Sequence, residues 1–366
     1  MTTPETVSLH AAAAAPARGH VDALTAVRGW AAWWVVFFHL KAYFIPYIPG
    51  ELLLLISRGD LAVDLFFCLS GFVIYLNYRN APLTSKKSLL AFYGKRLARI
   101  YPLHLTMLLA YLGLVIALRF LTTTPLSRKV GAGSFVAHLL LIQNWGLPEM
   151  TWNIPAWSIS AEFAAYLVFP GLLFVTQCRR AGLLRLGFTV IAAWALLIAI
   201  FQPFAFDLGD GIQQVGVPRC ILQFTAGMVG CEIYLRYSGR LARFAPLLLV
   251  LAGAAVVAAV AFDVPTAFAM PPGWFALVLG LASLRGWAHK VVAWRPFVYL
   301  GDISYATYMC HYLVFEVFKL VAVKIEGEAS PAALFGVCGA ILAMSPILYH
   351  VIERPSQKWL VKRLLS

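Results

Sequence analysis

Long apolar runs alternate with short polar segments along almost the whole chain. Ten of these runs are close to the roughly 20 residues that a membrane-spanning helix needs. They cover residues 24–44, 61–78, 101–121, 157–177, 183–206, 217–236, 245–263, 267–285, 299–323 and 333–352. One further apolar stretch, 133–145, is too short to span and is predicted to be interfacial or re-entrant. The pattern predicts an all-α, polytopic membrane protein with about ten transmembrane helices.

The composition excludes a large soluble domain. Of the 366 residues, 61% are hydrophobic and 12% are charged, whereas soluble proteins are about 45–50% apolar and about 25% charged. We therefore predict a single ten-helix membrane domain over 21–360. A disordered cytoplasmic lead over 1–20 is predicted to precede it, and a cytoplasmic tail over 361–366 to follow it.

The positive charge is distributed asymmetrically between the predicted loops. With the N-terminus inside, the inner segments are 79–100, 178–185, 236–243, 285–295 and 353–366. They hold 19 Lys and Arg residues, whereas the outer segments hold 6. Cytoplasmic loops of membrane proteins are enriched in these residues. The net charge of +13 is thus attributed to membrane topology rather than to nucleic-acid binding, and both termini are predicted to be cytoplasmic, in a bacterial inner membrane.

The first predicted span contains two polar groups, Arg28 and His39, with ten residues between them. Eleven helical steps of about 100° end about 20° past three full turns, and they rise about 16 Å. Both side chains should therefore lie on one face, with Arg28 toward the inside and His39 toward the outside. One elongated cavity could then contact both. The alternative is a snorkelling arginine and a structural histidine.

Further ionisable residues occur inside the predicted spans, where they are costly and usually face a cavity or a partner. Asp64 and Glu162 lie near the outer ends of their spans. A carboxylate beside an imidazole fixes its tautomer and raises its basicity, so both acids are expected at a depth compatible with His39. Alternatively, each is an acid stabilised by the dipole at a helix N-terminus. The remaining ionisable residues are His104, Arg219, Glu232, His311, Glu316, Lys319 and His350.

The predicted inner loop 79–100 has six basic residues and no acid. Arg96 and Arg99 are three residues apart, so they share a face if the following helix begins early. Two guanidinium groups on one face can bind a phosphate or diphosphate. Contact with lipid head groups is the competing interpretation.

Several ordered motifs together resemble the acyltransferase-3 family, over nearly the whole chain from Asp22 to about Trp359. The opening arginine and histidine resemble the first motif of that family. The later motifs are "DLAVDLFFCLSGFVIYL", "FYGKRLARIYPLH", "NIPAWSISAEFAAYLVFP", "LGDISYATYMCHYLV" and "VIERP". After Glu162 the family pattern usually has a second acid and an aromatic pair, whereas this chain has "FAAY".

The resemblance implies an integral-membrane enzyme that moves an acyl group, often acetyl, onto hydroxyls of cell-envelope sugars and related acceptors. It implies that His39 is the catalytic histidine and Arg28 an essential partner, and that Arg96 and Arg99 face the acyl-CoA. Acetyl-CoA or another acyl-CoA is thus the expected co-substrate, with no metal. The expected partners are the bilayer and a carbohydrate or glycolipid acceptor, and no nucleic acid.

Acyl transfer to an alcohol needs a base, donors that stabilise the oxyanion, and a site for the CoA phosphates. His39 suits the first role and the arginines suit the third. Ser158, Ser160 and Tyr305 are candidate oxyanion donors, and His311 either assists His39 or bonds a neighbouring helix. Direct transfer is the hypothesis, and a relay through an acylated histidine or serine stays open.

A secondary transporter or flippase for an envelope sugar precursor is the alternative, because ten spans with buried charges suit it equally well. The absence of a visible internal repeat speaks against it. The sequence leaves open the acceptor, the acyl group and the oligomeric state.

Overall fold

The computed structural model describes residues 19–121, 130–147, 151–323 and 328–365. Within these ranges the secondary structure is helical, with no β-strand, which confirms the all-α prediction. The predicted disordered lead over 1–20 lies outside the described residues, except for the last two positions.

Fourteen α-helices occur in the described ranges. They are α1 (Gly19–Phe44), α2 (Gly50–Ser57), α3 (Ala62–Tyr78), α4 (Lys86–Leu121), α5 (Ala132–Leu139), α6 (Trp157–Thr176), α7 (Leu183–Phe201), α8 (Ile212–Ala261), α9 (Thr266–Ser283), α10 (Gly286–Val292), α11 (Arg295–Asp302), α12 (Ser304–Ala322), α13 (Pro331–Leu348) and α14 (Arg354–Leu365). A 3₁₀ turn, Gly59–Leu61, leads into α3, and a π-helical turn, Tyr349–Glu353, joins α13 to α14.

Six helices of the described chain are long and apolar enough to cross a membrane. They are α4, α6, α7, α8, α9 and α13 with its continuation into α14. Together they contain seven of the ten predicted spans, since α8 holds two of them. α5 has eight residues, far short of the roughly 20 that a crossing requires. The chain is thus a membrane protein with several spanning helices, and the count of ten stays a prediction.

The other three predicted spans lie in α1, α3 and α12, which are more polar or shorter. Eleven of the 17 residues of α3 are buried, on all sides of the helix. α3 packs against α1, α8 and α9, and α12 packs against α1. A helix that is buried all round belongs to the interior of a bundle. These helices therefore form the centre of the molecule, while α7 presents large apolar side chains such as Phe188 and Ile191 at the surface.

Several segments that were predicted as loops or as the tail are instead largely helical. Most of the predicted inner loop 79–100 belongs to α4, which begins at Lys86. The predicted loop 236–243 lies inside α8, where only Tyr237 leaves helical geometry (φ −125°, ψ 17°) and kinks the helix. The predicted tail 361–366 is helical through Leu365 as part of α14, which packs along α4.

Two glycines allow α3 and α8 to approach at backbone distance. A Cβ atom on Gly71 of α3 would overlap the backbone of Phe224, and a Cβ atom on Gly227 of α8 would overlap the carbonyl of Cys68. Small residues at a crossing let two membrane helices pack closely. This contact fixes α8 against α3 and brings the polar residues of the two helices within reach of each other.

Candidate functional site

The first cavity, here called the arginine cavity, lies between α1, α3, α4, α6 and α12 and has a volume of about 150 Å³. Its polar lining residues are Arg28, Ser70, Arg96, Arg99, Ser158, Glu162, Tyr166, Ser304, Tyr305 and Tyr308. The structure thus brings together the three arginines that the sequence singled out, Arg28 on α1 and Arg96 and Arg99 on α4.

The three arginines differ in their partners. Arg99 forms an ion pair with Glu353, which is 1% exposed and lies in the π-helical turn. The Arg96 guanidinium lies over the ring of Tyr78, 5.3 Å from its centroid, and its buried Nε has no hydrogen-bond partner. Neither Arg28 nor Arg96 forms a salt bridge within the described residues. Two guanidinium groups in the cavity are therefore available to bind an anion.

Glu162 also lines the arginine cavity rather than contacting His39 directly. Its Oε1 accepts hydrogen bonds from the hydroxyls of Ser70, at 2.5 Å, and of Tyr166, at 2.6 Å. Short hydrogen bonds to a carboxylate are typical of a charged acceptor. They fix the Glu162 side chain on the side of the bundle that holds Arg28.

The second cavity, here called the histidine cavity, is larger, at about 330 Å³. Its titratable lining residues are His39, Lys41, Arg58, Asp60, Asp207, Asp210, Arg219 and Tyr308. Val63 and Tyr308 line both cavities. Arg28 and His39 thus lie in different cavities that share a wall, instead of in the single elongated cavity that the spacing predicts.

Asp64 does not pair with His39 as expected, since its carboxylate is already bound to a second buried residue. The Nε and Nη2 groups of Arg219 donate to its two oxygens at 2.8 and 2.5 Å, and both side chains are at most 1% exposed. The Nη1 group of Arg219 donates to the Leu208 carbonyl. Arg219 lines the histidine cavity, and its bidentate pair with Asp64 joins α3 to α8.

Of the candidate oxyanion donors, Ser158 lies nearest to the shared wall. The Ser158 and Tyr308 hydroxyl oxygens are 2.9 Å apart, and each lies 3.0 Å from the Pro155 carbonyl oxygen. By contrast, Ser160 donates its proton to the Leu141 carbonyl at 2.7 Å and lines neither cavity. Tyr305 donates to the Ile100 carbonyl at 2.7 Å. Ser160 and Tyr305 therefore hold backbone segments in place, because each has only one hydroxyl proton.

His39 contacts a second histidine. Its Nδ1 is 2.9 Å from the Val35 carbonyl oxygen and 3.3 Å from the Nε2 of His311 on α12. The Nδ1 of His311 is 2.7 Å from the Tyr308 carbonyl oxygen, and this ring is 1% exposed. His311 lines neither of the two cavities, so it contacts the site through His39.

Asp60 lines the same cavity as His39 and lies in the 3₁₀ turn before α3. Burial raises the pKa of its carboxyl to about 6. The positive charge of Arg219 lowers this pKa, whereas the negative charges of Asp207 and Asp64 raise it. An acid that titrates near neutrality in a cavity is typical of functional sites.

The amino-acid sequence of the chain is similar to those of known proteins. The family described as an acyltransferase domain, Acyl_transf_3, matches residues 21–350. The chain belongs to the acyltransferase-3 family. Acyltransferase MdmB of Streptomyces mycarofaciens is 30% identical, and the match covers 94% of this chain and 93% of that relative. Exopolysaccharide production protein ExoZ of Rhizobium meliloti (strain 1021) is 25% identical, and the match covers 81% of this chain and 89% of that relative. No solved structure matches the chain.

Membership of the acyltransferase-3 family supports the predicted acyltransferase over the transporter alternative. The match includes all of the residues that line both cavities. It ends before Glu353, although this residue is the partner of Arg99.

Four residues of the site had no predicted role. Arg219 is visible in the sequence as an arginine inside an apolar span, which by itself signals a buried partner. Glu353 lies in the "VIERP" motif, and Tyr308 lies in the late tyrosine and histidine block. Asp60 is the first residue of the quoted "DLAVDLFFCLSGFVIYL" motif, but its significance depends on the cavity that it lines.

Proposed function

We propose that this acyltransferase moves an acyl group, in the first instance acetyl, from cytoplasmic acyl-CoA to a hydroxyl of a cell-envelope carbohydrate or related acceptor. One observation carries the proposal. Arg28 and Arg96, without salt bridges in the described chain, line a cavity that shares a wall with the cavity lined by His39. A site for a phosphate-bearing donor thus adjoins a site with a base.

The arginine cavity suits the donor. Guanidinium groups bind phosphate in bidentate geometry, and Arg96 lies on the basic helix α4, whose first part carries the charge that we assign to the cytoplasmic side. The volume of about 150 Å³ is below the 300–1,000 Å³ of a typical small-molecule site. It suits the diphosphate of the donor and the start of its pantetheine arm, with the adenosine outside.

The histidine cavity suits the acceptor. It combines the carboxylates of Asp60 and Asp207 with the guanidinium of Arg58 and the aromatic face of Trp157, so it offers both hydrogen-bond acceptors and donors to the hydroxyls of a sugar. The name of the relative ExoZ refers to exopolysaccharide production, which supports a carbohydrate acceptor. Asp207 accepts from Arg58 at 2.7 Å, so these two side chains are already oriented toward each other.

His39 acts as the general base in this proposal. It takes the proton of the acceptor hydroxyl while that oxygen attacks the thioester carbonyl, so that a carbon–oxygen bond forms. As the carbon–sulfur bond breaks, the histidinium returns the proton to the departing thiolate. The hydroxyls of Ser158 and Tyr308 lie at the shared wall and are the nearest donors for the oxyanion, provided that one of them releases the Pro155 carbonyl.

Binding of the donor is tested by thermal unfolding of the protein in nanodiscs with CoA, acetyl-CoA and pantetheine. At about 100 times the Kd, a ligand stabilises the folded state by about 2.7 kcal/mol, or about 3–4 °C for a chain of this length. We expect that shift with CoA and acetyl-CoA, and its loss in Arg96→Ala. Arg240→Ala is the matched control, since Arg240 is an exposed arginine on α8 outside both cavities. A wild-type protein that no acyl-CoA stabilises would argue against the proposal.

Catalysis is tested by release of free CoA from acetyl-CoA in the presence of a panel of sugar acceptors. His39→Ala should lower kcat by about 100- to 10,000-fold, the range for general base catalysis, while the CoA-dependent thermal shift persists. If His39→Ala retained near-normal acyl transfer, the assignment of the base would be wrong. Mass spectrometry of envelope glycans from a deletion strain identifies the acceptor.

A further inference from the structure

The two histidines at the centre of the molecule lie on different helices, α1 and α12, and their rings are in contact. The ring centroids are 4.9 Å apart. His39 lines a cavity, whereas His311 is buried behind it. His311 can therefore influence the reaction through His39, and this role rests on the proposed function, in which His39 is the base.

The hydrogen bonds determine which nitrogen of His311 carries the proton. Burying a charged ring costs free energy, so His311 is a neutral imidazole with one donor and one acceptor nitrogen. Its Nδ1 faces the Tyr308 carbonyl oxygen at 2.7 Å, and a carbonyl oxygen can only accept. The proton of His311 is therefore on Nδ1, and its Nε2 can only accept a hydrogen bond.

The same reasoning then applies to His39. Its Nδ1 lies between two acceptors, the Val35 carbonyl oxygen at 2.9 Å and the Nε2 of His311 at 3.3 Å. A nitrogen that faces two acceptors must carry the proton. The Nδ1–H group of His39 is thus shared between them, and the lone pair of the neutral ring is on Nε2.

We propose that His311 is a positioning residue: its Nε2 accepts the Nδ1–H of His39, so that Nε2 of His39 is the nitrogen that takes the acceptor proton. Catalytic histidines are commonly oriented in this way by a hydrogen-bond acceptor on the other ring nitrogen. Here the acceptor is a neutral ring. When His39 becomes charged, its Nδ1–H bond to His311 strengthens, because a charged donor makes the stronger hydrogen bond.

The tautomers are tested first, in the resting protein, by nitrogen NMR of histidine-labelled chains in nanodiscs at a pH above histidine titration. His39→Gln and His311→Gln identify the two pairs of signals by their disappearance. We expect a protonated Nδ1 and an unprotonated Nε2 for both rings. A protonated Nε2 on either ring would overturn the proposal. Because this measurement needs no turnover, it stands even if the wild-type protein transfers no acyl group, an outcome that refutes only the proposed function.

The role in the reaction is tested with two substitutions that differ in one property. Gln can still accept a hydrogen bond at position 311, and Leu cannot. Loss of a residue that orients a functional histidine typically costs about 10- to 100-fold. We expect His311→Leu to lower kcat by that factor with an acyl-CoA KM within about twofold of wild type, and His311→Gln to recover most of kcat. Equal losses in both variants, or a normal kcat in His311→Leu, would refute the role.

A matched control and a double variant separate positioning from folding. His104 is also 1% exposed and bonded to a backbone carbonyl, that of His138 at 2.8 Å. His104→Leu should change thermal stability but leave kcat within about twofold. If His311 acts only through His39, His311→Leu should cause no further loss in a His39→Ala background. An additional tenfold loss there would show a role independent of His39.

Discussion

The buried pair of Asp64 and Arg219 gives the most demanding stability prediction. Arg219 is the largest of the fully buried side chains, and Asp64 is 0% exposed. All three hydrogen-bonding nitrogen groups of the guanidinium are used, two on Asp64 and one on the Leu208 carbonyl. Replacement of Arg219 by Gln would leave the Asp64 carboxylate charged and without its partner in the interior.

Removing one member of a buried ion pair costs about 3–5 kcal/mol, mainly because the remaining charge has lost its compensation. With about 2.1 cal/mol/K of unfolding entropy per residue, a chain of 366 residues loses about 4–6 °C in Tm. Asp64→Asn should cost a similar amount. The double variant pairs two neutral amides and should recover at least half of the loss, since neither charge remains.

Thermal unfolding in nanodiscs, followed by tryptophan fluorescence at one fixed pH, measures all four proteins under the same conditions. Chain yield and monodispersity serve as the check on folding. If Arg219→Gln melts within 1 °C of wild type, the pair does not stabilise the bundle. If the double variant loses the sum of the two single losses, the two side chains are not coupled, and the hydrogen bonds of the structure are wrong.

Three further predictions concern other parts of the site. Arg96→Ala should raise the KM for acyl-CoA about tenfold, the value of one charged hydrogen bond, and leave Tm unchanged. Arg99→Ala should instead lower Tm, because it leaves a buried carboxylate without its partner. Identical effects of the two variants would refute the different roles of the two arginines. The pKa of Asp60 is raised to about 6, so the contribution of this group to stability falls as pH rises from about 4 to 6. Asp60→Asn should therefore melt progressively higher than wild type across that window and by a constant margin above it. A margin independent of pH would contradict the raised value. Gly227→Ala should lower the free energy of unfolding by about 1–3 kcal/mol, because the added methyl group overlaps α3. Gly239→Ala is the control and should not, since its methyl group meets open space. Equal melting temperatures of the two variants would disprove the close contact.

The local features of the site follow from the sequence, and its long-range pairings do not. Helical periodicity is enough to put Arg28 and His39 on one face, and α1 is a continuous helix over both. The partner of Arg99 is 254 residues away, and that of Asp64 is 155 residues away. No local pattern encodes such contacts, because they depend on how helices pack.

Loop boundaries were the weakest predictions, for a related reason. Polar and basic residues such as those before Arg96 indicate that a segment leaves the membrane, but they do not indicate that the helix ends there. Lys and Arg are good helix formers, so α4 continues through them. The same holds for α8, which passes from one predicted span to the next with a kink at Tyr237.

The continuous helix α1 also limits how this part of the chain can change in length. Inserting or deleting one residue between Arg28 and His39 would rotate the histidine by about 100° and move it about 1.5 Å along the axis, away from its cavity. Adding two full turns, seven residues, would restore the face but displace the ring by about 10 Å. Substitutions between the two residues are therefore far easier to accommodate than any insertion or deletion, which makes the spacing a fixed length of the molecule.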